Sequence, residues 1–116
     1  MKEWYTLVEN ALIVHLSGEL DQHNAAGLRR EVDRRICEGC NNVVFDFGEL
    51  EFMDSSGIGV ILGRYKNVTA LGGKACIVSA KPQVTKILRL SAIDRLIPLY
   101  DTVDEALAFT RRDQVG

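Results

Sequence analysis

A strand-to-helix junction rich in hydroxyls and glycines constrains this chain more than any other segment. The apolar run 43–47 precedes it and predicts a buried strand, and residues 60–65 follow it with a helical pattern. Between them lie Asp54, Ser55, Ser56, Gly57 and Gly59. Ser and Asp accept hydrogen bonds from the free N–H groups of a helix's first turn, and such a terminus favours negative charge. The segment therefore predicts an exposed helix N-terminus that would tolerate a phosphate on Ser55 or Ser56.

Strands and helices alternate over the rest of the chain. Two short strands, 4–8 and 11–16, flank Glu9-Asn10, a pair suited to a tight hairpin turn. A helix is expected over about 25–38, with Asn24 as its N-cap and Gly39 as its stop. A second helix follows the junction and ends at 71–73, a third begins at Pro82, and a fourth begins with the capping box Thr102-x-x-Glu105.

The remaining strands are expected at 43–47, 75–78 and 97–100, the last at a sheet edge because Pro98 cannot donate to a ladder. The resulting order is ββαβαβαβα. It predicts an α/β fold, in which an N-terminal β-hairpin is followed by alternating helices and mostly parallel strands. With 116 residues, the chain suits one domain, 1–116.

Composition argues against two classes of partner. The formal net charge is -2, so nucleic-acid binding is not expected. No apolar run approaches the roughly 20 residues that cross a bilayer, and the N-terminus lacks the apolar core of a signal peptide. The expectation is a soluble cytoplasmic protein without a membrane partner.

Three cysteines include the pair Cys37-x-x-Cys40. The pair falls at the end of a predicted helix, whereas redox pairs usually occupy a helix start, where thiolate is favoured. A metal site would need more ligands, and only His15 and His23 are available. The pair is therefore interpreted as structural, and no metal or cofactor is expected.

Enzyme motifs are incomplete. Asp46-Phe47-Gly48 matches the kinase metal-binding triplet, but no glycine-rich or catalytic loop accompanies it. Gly57-x-Gly59-x-x-x-Gly63 has one residue too many for a dinucleotide fingerprint. Ser55 or Ser56 as a nucleophile would need a base, and His23 is the only histidine predicted in a loop. The chain is not expected to be an enzyme; a small serine hydrolase or nucleotide-binding enzyme is the alternative.

Polar residues at the junction exceed what a cap needs. One cap requires one side chain, and each glycine costs a helix roughly 1 kcal/mol. Plain capping and a functional site are equally supported by these residues alone.

Residues 52–66 as a whole resemble the phosphorylation segment of the anti-sigma factor antagonists, which are STAS-domain proteins. The similarity is greatest to the sporulation sigma-F branch. Gly18-Glu19-Leu20-Asp21 with His23 resembles that branch's second signature loop. Gln22, Ala92 and Lys81-Pro82 depart from the family pattern, and none of them falls at the expected phosphorylation site.

The resemblance implies a STAS-type domain that regulates transcription by partner switching. The first serine after the aspartate, Ser55, would accept phosphate from an anti-sigma factor that is also a serine kinase. The unmodified form would bind that kinase and release the sigma factor, and a PP2C-type phosphatase would reset the phosphorylated form. ATP would belong to the kinase. The expected partner-binding residues are Asp21, His23, Asp54, Ser55, Ser56, Gly57, Ile58, Gly59 and Leu62. A STAS scaffold of a stress-response complex is the alternative within the same fold.

Overall fold

A mixed sheet of five strands organises the chain. The computed structural model describes residues 1–36, 38–78 and 80–112. The strands are β1 (Lys2–Val8), β2 (Ala11–Leu20), β3 (Asn42–Met53), β4 (Ala75–Val78) and β5 (Leu99–Tyr100). The helices are α1 (Ala25–Ile36), α2 (Ser55–Ala70), α3 (Pro82–Leu90) and α4 (Val103–Thr110), with a 3₁₀ turn at Ile93–Arg95.

Strand order in the sheet follows chain order, β1-β2-β3-β4-β5. β1 and β2 form an antiparallel hairpin through the turn Glu9-Asn10, and Glu9 adopts a φ of 57° there. The pairs β2–β3, β3–β4 and β4–β5 are all parallel. The α/β class and the order ββαβαβαβα are thereby confirmed.

Helices cover both faces of the sheet, because the strands are apolar on both sides. On one face the main core joins the strands to α1, α2 and α3, and its fully buried members include Val14, Phe45, Ile77, Leu28, Ile61 and Leu88. On the other face a smaller cluster joins the strands to α4, and it contains Ala11, Ile13, Val44, Cys76, Val78, Ala106 and Leu107. Since α1 and α2 each connect parallel neighbours on the same face, both begin at the carboxyl edge of the sheet.

Two strands are longer than predicted. β2 continues to Leu20 and β3 to Met53, although the sequence predicted ends at 16 and 47. Gly18 has a φ of +87° and lies beside a register shift in the β2–β3 pairing. Glycine and acidic residues here were signals for a loop, but a bulge absorbs them and pairing resumes. The extension brings Leu20 opposite Met53.

Helix ends follow the sequence signals closely. α1 ends at Ile36, two residues before the prediction, and Gly39 at φ +108° is the predicted left-handed stop. α3 begins at Pro82 as expected. The hydroxyl of Thr102 accepts the N–H of Glu105 at 3.2 Å, which confirms the predicted cap of α4. Cys37 lies outside the described residues.

Candidate functional site

Asp54 caps the N-terminus of α2. Its backbone is extended, with φ -106° and ψ -170°, and its Oδ1 accepts the N–H of Ser56 at 2.8 Å. Its carbonyl accepts the N–H of Gly57 at 3.1 Å, the first turn of the helix. Of Asp54, Ser55 and Ser56, Asp54 supplies the capping side chain, so neither serine side chain is needed as a cap.

The two serines differ in exposure. Ser55, the first residue of α2, is exposed, whereas Ser56 is half-buried. Within the described residues the Ser55 hydroxyl has no hydrogen-bond partner. The hydroxyl lies at the positive end of the α2 dipole, where an anion is stabilised. Of the two predicted phosphate acceptors, Ser55 is the more accessible to another protein.

Gly57 allows α2 to pack closely on the ends of β2 and β3. A Cβ at Gly57 would lie 2.9 Å from Cγ of Leu20 and 3.2 Å from Cβ of Met53. Gly57 itself is buried, and its N–H is bonded to the carbonyl of Asp54. The absence of a Cβ at Gly57 therefore allows the helix start to lie close to the edge of the sheet.

A second loop, residues 21–24, lies beside this helix start. The backbone N–H of Asp54 donates to the carbonyl of Leu20 at 3.2 Å, so the loop begins one residue beyond that contact. Within the loop, Oδ1 of Asp21 accepts the N–H of His23 at 2.9 Å. Oδ1 of Asn24 accepts the N–H of Asp21 at 3.0 Å, and its amide donates to Glu19. The described side-chain bonds of Asn24 thus shape the loop, whereas the sequence predicted a cap of α1.

The exposed face of α2 is polar or small near Ser55. Gly59 is exposed, and nothing lies within 4 Å of the place its Cβ would take. Ile58 and Leu62 are half-buried and pack against the main core. Their exposed fractions can still meet a partner, although both side chains also contribute to the core.

Acidic side chains near the carboxyl edge are partly neutralised. Glu51 bonds the ammonium of Lys81 and also accepts from Gln83 at 3.2 Å. The bond to Glu51 raises the pKa of Lys81. Glu19 and Glu49 are exposed. The ion pair of Glu51 with Lys81 therefore reduces the negative charge at this edge of the sheet.

A hydrogen-bonded chain on the α4 side of the sheet was missed by the sequence analysis. Nδ1 of His15 lies 2.7 Å from Asp46, and its Nε2 lies 2.9 Å from the hydroxyl of Thr6. Trp4 stacks on the imidazole at 5.3 Å between ring centroids. These residues are cross-strand neighbours on β1, β2 and β3, so only the register could have revealed them. The histidine with both a carboxylate and a hydroxyl partner is therefore His15. Among the described hydrogen bonds, none joins the His23 ring to Ser55 or Ser56, so the structure does not support His23 as their base.

The model of the STAS domain family matches residues 5–106. The chain belongs to the STAS domain family. It is 42% identical to the anti-sigma F factor antagonist of Paenibacillus polymyxa over 97 residues, and this alignment covers 83% of each chain. Its fold matches that of the anti-sigma factor antagonist SpoIIAA in its unphosphorylated form with a TM-score of 0.84 and 28% identity, over 95% of this chain and 96% of that one. The phosphorylated form of SpoIIAA from Bacillus matches with a TM-score of 0.75 and 27% identity, over 95% and 100% of the two chains.

Two further features are absent from the described residues. No helix in these ranges has the length and apolar character needed to cross a membrane. No cluster of three or more His, Cys, Asp or Glu residues in the same ranges could hold a metal ion.

Proposed function

We propose that this STAS domain is an anti-sigma factor antagonist whose partner binding is switched by phosphorylation of Ser55. The observation that carries the proposal is the division of roles at the start of α2. Asp54 caps the helix, Ser56 is half-buried, and the Ser55 hydroxyl is exposed without a partner among the described residues. The similarity to anti-sigma factor antagonists, one of them solved with and without phosphate, supports the same assignment.

The partner is an anti-sigma factor with serine kinase activity. It docks over the start of α2 and the adjacent 21–24 loop, and it supplies the ATP. The contact set comprises Asp21, His23, Asp54, Ser55, Ser56, Gly57, Ile58, Gly59 and Leu62. Gly57 contributes by fixing the helix start, while exposed Gly59 lets another backbone approach. Binding of the unmodified chain releases the sigma factor.

Phosphate acts on the interface and leaves the fold intact. A phosphoserine adds about 1.5 to 2 negative charges. At a helix N-terminus this charge is stabilising by about 0.3–1 kcal/mol. In a docked complex the same charge would be buried beside Asp54, and an unpaired buried charge costs several kcal/mol. Because each 1.4 kcal/mol or so is tenfold in affinity, a loss of roughly a hundredfold needs no conformational change. A PP2C-type phosphatase would restore binding.

Phosphate mapping with two matched serine variants tests the assignment. The wild-type chain, Ser55→Ala and Ser56→Ala are each incubated with ATP and a purified anti-sigma factor kinase, and phosphate is located by mass spectrometry. We expect one phosphate on Ser55 in the wild type and in Ser56→Ala. We expect none in Ser55→Ala, which still binds the kinase. Phosphate on Ser56 would contradict the site assignment, and binding that ignores phosphate would indicate a STAS scaffold.

A further inference from the structure

An ion pair joins the two helices that carry the proposed contact segments. Nε of Arg64 on α2 lies 2.8 Å from Oδ1 of Asp33 on α1. The Arg64 side chain is only 8% exposed, whereas that of Asp33 is 40% exposed. The amide of Asn67, one turn further along α2, also reaches Oδ1 of Asp33, at 3.4 Å. Asp33 therefore contacts two residues one turn apart on α2, Arg64 and Asn67.

The attraction between Asp33 and Arg64 is chiefly electrostatic. In the described part of the chain, Nε and Nη1 of Arg64 are buried and lack a well-aligned hydrogen bond, despite the short Nε–Oδ1 distance. Burial lowers the pKa of the Arg64 guanidinium, and the charge of Asp33 opposes that shift. A buried cation whose main compensation is one carboxylate depends strongly on that carboxylate's position. Sliding of α1 against α2 would separate the buried guanidinium of Arg64 from the carboxylate of Asp33.

The pair also lies at nearly the same height on both helices. Asp33 is the ninth residue of α1 and Arg64 is the tenth of α2. At 1.5 Å per residue, each helix start is about 13 Å from the pair. Both starts lie at the carboxyl edge of the sheet, where α1 continues the 21–24 loop and α2 begins with Ser55.

We propose that Asp33 and Arg64 are positioning residues for partner docking, which hold the 21–24 loop and Ser55 at a fixed relative height. This inference rests on the proposed function, because both segments must then meet one partner at once. A partner that contacts two segments gains affinity when their spacing is already set in the free protein. Loss of the ion pair between Asp33 and Arg64 therefore weakens docking without removing any contact residue.

The decisive variant replaces both charges with apolar side chains that favour a helix, Asp33→Leu with Arg64→Met. Such replacements of buried ion pairs are often neutral or stabilising, so the double variant separates positioning from stability. Asp33→Asn alone leaves an uncompensated buried cation and serves as the destabilised comparison. Arg34→Gln is the control, because Arg34 pairs with Glu31 of α1 and with Glu38 just beyond its end, and it takes no part in the contact between the helices.

Two measurements are made on each folded variant, at temperatures well below its unfolding transition. The first is the set of amide NMR chemical shifts of residues 21–24 and 54–57, which needs no partner. The second is the Kd for the anti-sigma kinase, together with KM and kcat for phosphorylation of Ser55. In the double variant we expect shifted amides in both segments, a Kd and KM raised about tenfold, and an unchanged kcat. Arg34→Gln should match the wild type.

The outcomes distinguish failure of the positioning role from failure of the proposed function. A double variant that melts like the wild type and keeps its loop shifts and its Kd within about twofold overturns the positioning role. If the wild type itself neither binds the kinase nor accepts phosphate, the proposed function fails. In that case unchanged amide chemical shifts in the double variant still refute the positioning role of Asp33 and Arg64, because this measurement needs no partner.

Discussion

Leu20 occupies the space in which a side chain at Gly57 would begin. Its Cγ is 2.9 Å from the ideal Cβ position, closer than real Cβ atoms come to other heavy atoms. Leu20 is the last residue of β2 and fully buried, and Gly57 is in the first turn of α2. Because Gly57 has no Cβ, the end of β2 and the start of α2 lie in direct contact. Ser55 is the first residue of α2, two positions before Gly57.

Gly57→Ala should destabilise the fold, and Gly63→Ala should stabilise it. Overpacking a filled site costs about 1–3 kcal/mol, whereas the space around Gly63 is open to 4 Å. Alanine at an open helical position gains about 0.5–1 kcal/mol over glycine. Chemical denaturation of the two variants and the wild type measures both changes in the free energy of unfolding. Equal stability of the two variants would show that Leu20 moves aside freely.

Asp54 combines a capping role with a charge, and two substitutions separate them. Asp54→Asn keeps an oxygen that can accept the Ser56 N–H, so we expect a change in stability within about 0.5 kcal/mol. Asp54→Ala removes the acceptor and should cost about 1 kcal/mol. If the charge of Asp54 contributes to expulsion of the phosphorylated form, Asp54→Asn should also retain more affinity after phosphorylation. Thermal melts and binding titrations of both variants with and without phosphate check these expectations. Equal melting points for the two variants would exclude the cap.

The local features of the fold were predictable because each depends on residues near one another in sequence. Pro82 and Thr102 act within one turn of their own position and mark helix starts where the sequence placed them. Gly39 takes the predicted left-handed conformation, although α1 ends two residues earlier than predicted. The extension of β3 was not predictable, because it depends on pairing with β2, whose Gly18 forms a bulge with φ +87°.

The candidate site shows the same division between local and long-range information. The position of Ser55 at a helix start follows from its neighbours in the chain. Its greater exposure than Ser56, and the burial of Gly57 against Leu20, depend on where α2 meets the sheet. The pairing of Asp33 with Arg64 spans two helices, and no periodicity in either one predicts it.

Asp21 is expected to contribute to partner binding through its charge. Because its Oδ1 accepts the His23 N–H, Asp21→Ala would disturb the loop as well as the charge. Asp21→Asn keeps an acceptor and is the sharper test. We expect its Kd for the kinase to rise about tenfold, as for loss of a charged contact worth roughly 1.4 kcal/mol, with an unchanged melting temperature. Unchanged affinity would remove Asp21 from the contact set.

The Cys76 thiol should be inert in the folded protein. Burial raises its pKa from 9.0 to about 12, so almost no thiolate forms at pH 8. In a Cys37→Ser/Cys40→Ser background, a disulfide reagent should label Cys76 only as fast as the chain unfolds. The folded state prefers the thiol, so this group's contribution to stability is complete below pH 9 and declines as the pH rises towards 12. A Cys76→Val change in this background should therefore lessen the alkaline loss of stability. Rapid labelling at pH 8 in the absence of denaturant would contradict this assignment.

Ser55→Asp should bind the anti-sigma kinase weakly and yet melt no lower than the wild type. Ser55 is the first residue of α2, where a carboxylate gains about 0.3–1 kcal/mol from the helix dipole. In the proposed complex the same carboxylate would be buried beside Asp54, where an unpaired charge costs several kcal/mol. Ser55→Asn is the matched control, since it has nearly the same size and no charge. Calorimetry of each variant with the kinase separates charge from bulk: weak binding by Ser55→Asp alone identifies charge as the switch, and equally weak binding by Ser55→Asn identifies size. A fall of several degrees in the melting temperature of Ser55→Asp would contradict the claim that the fold tolerates charge at this position.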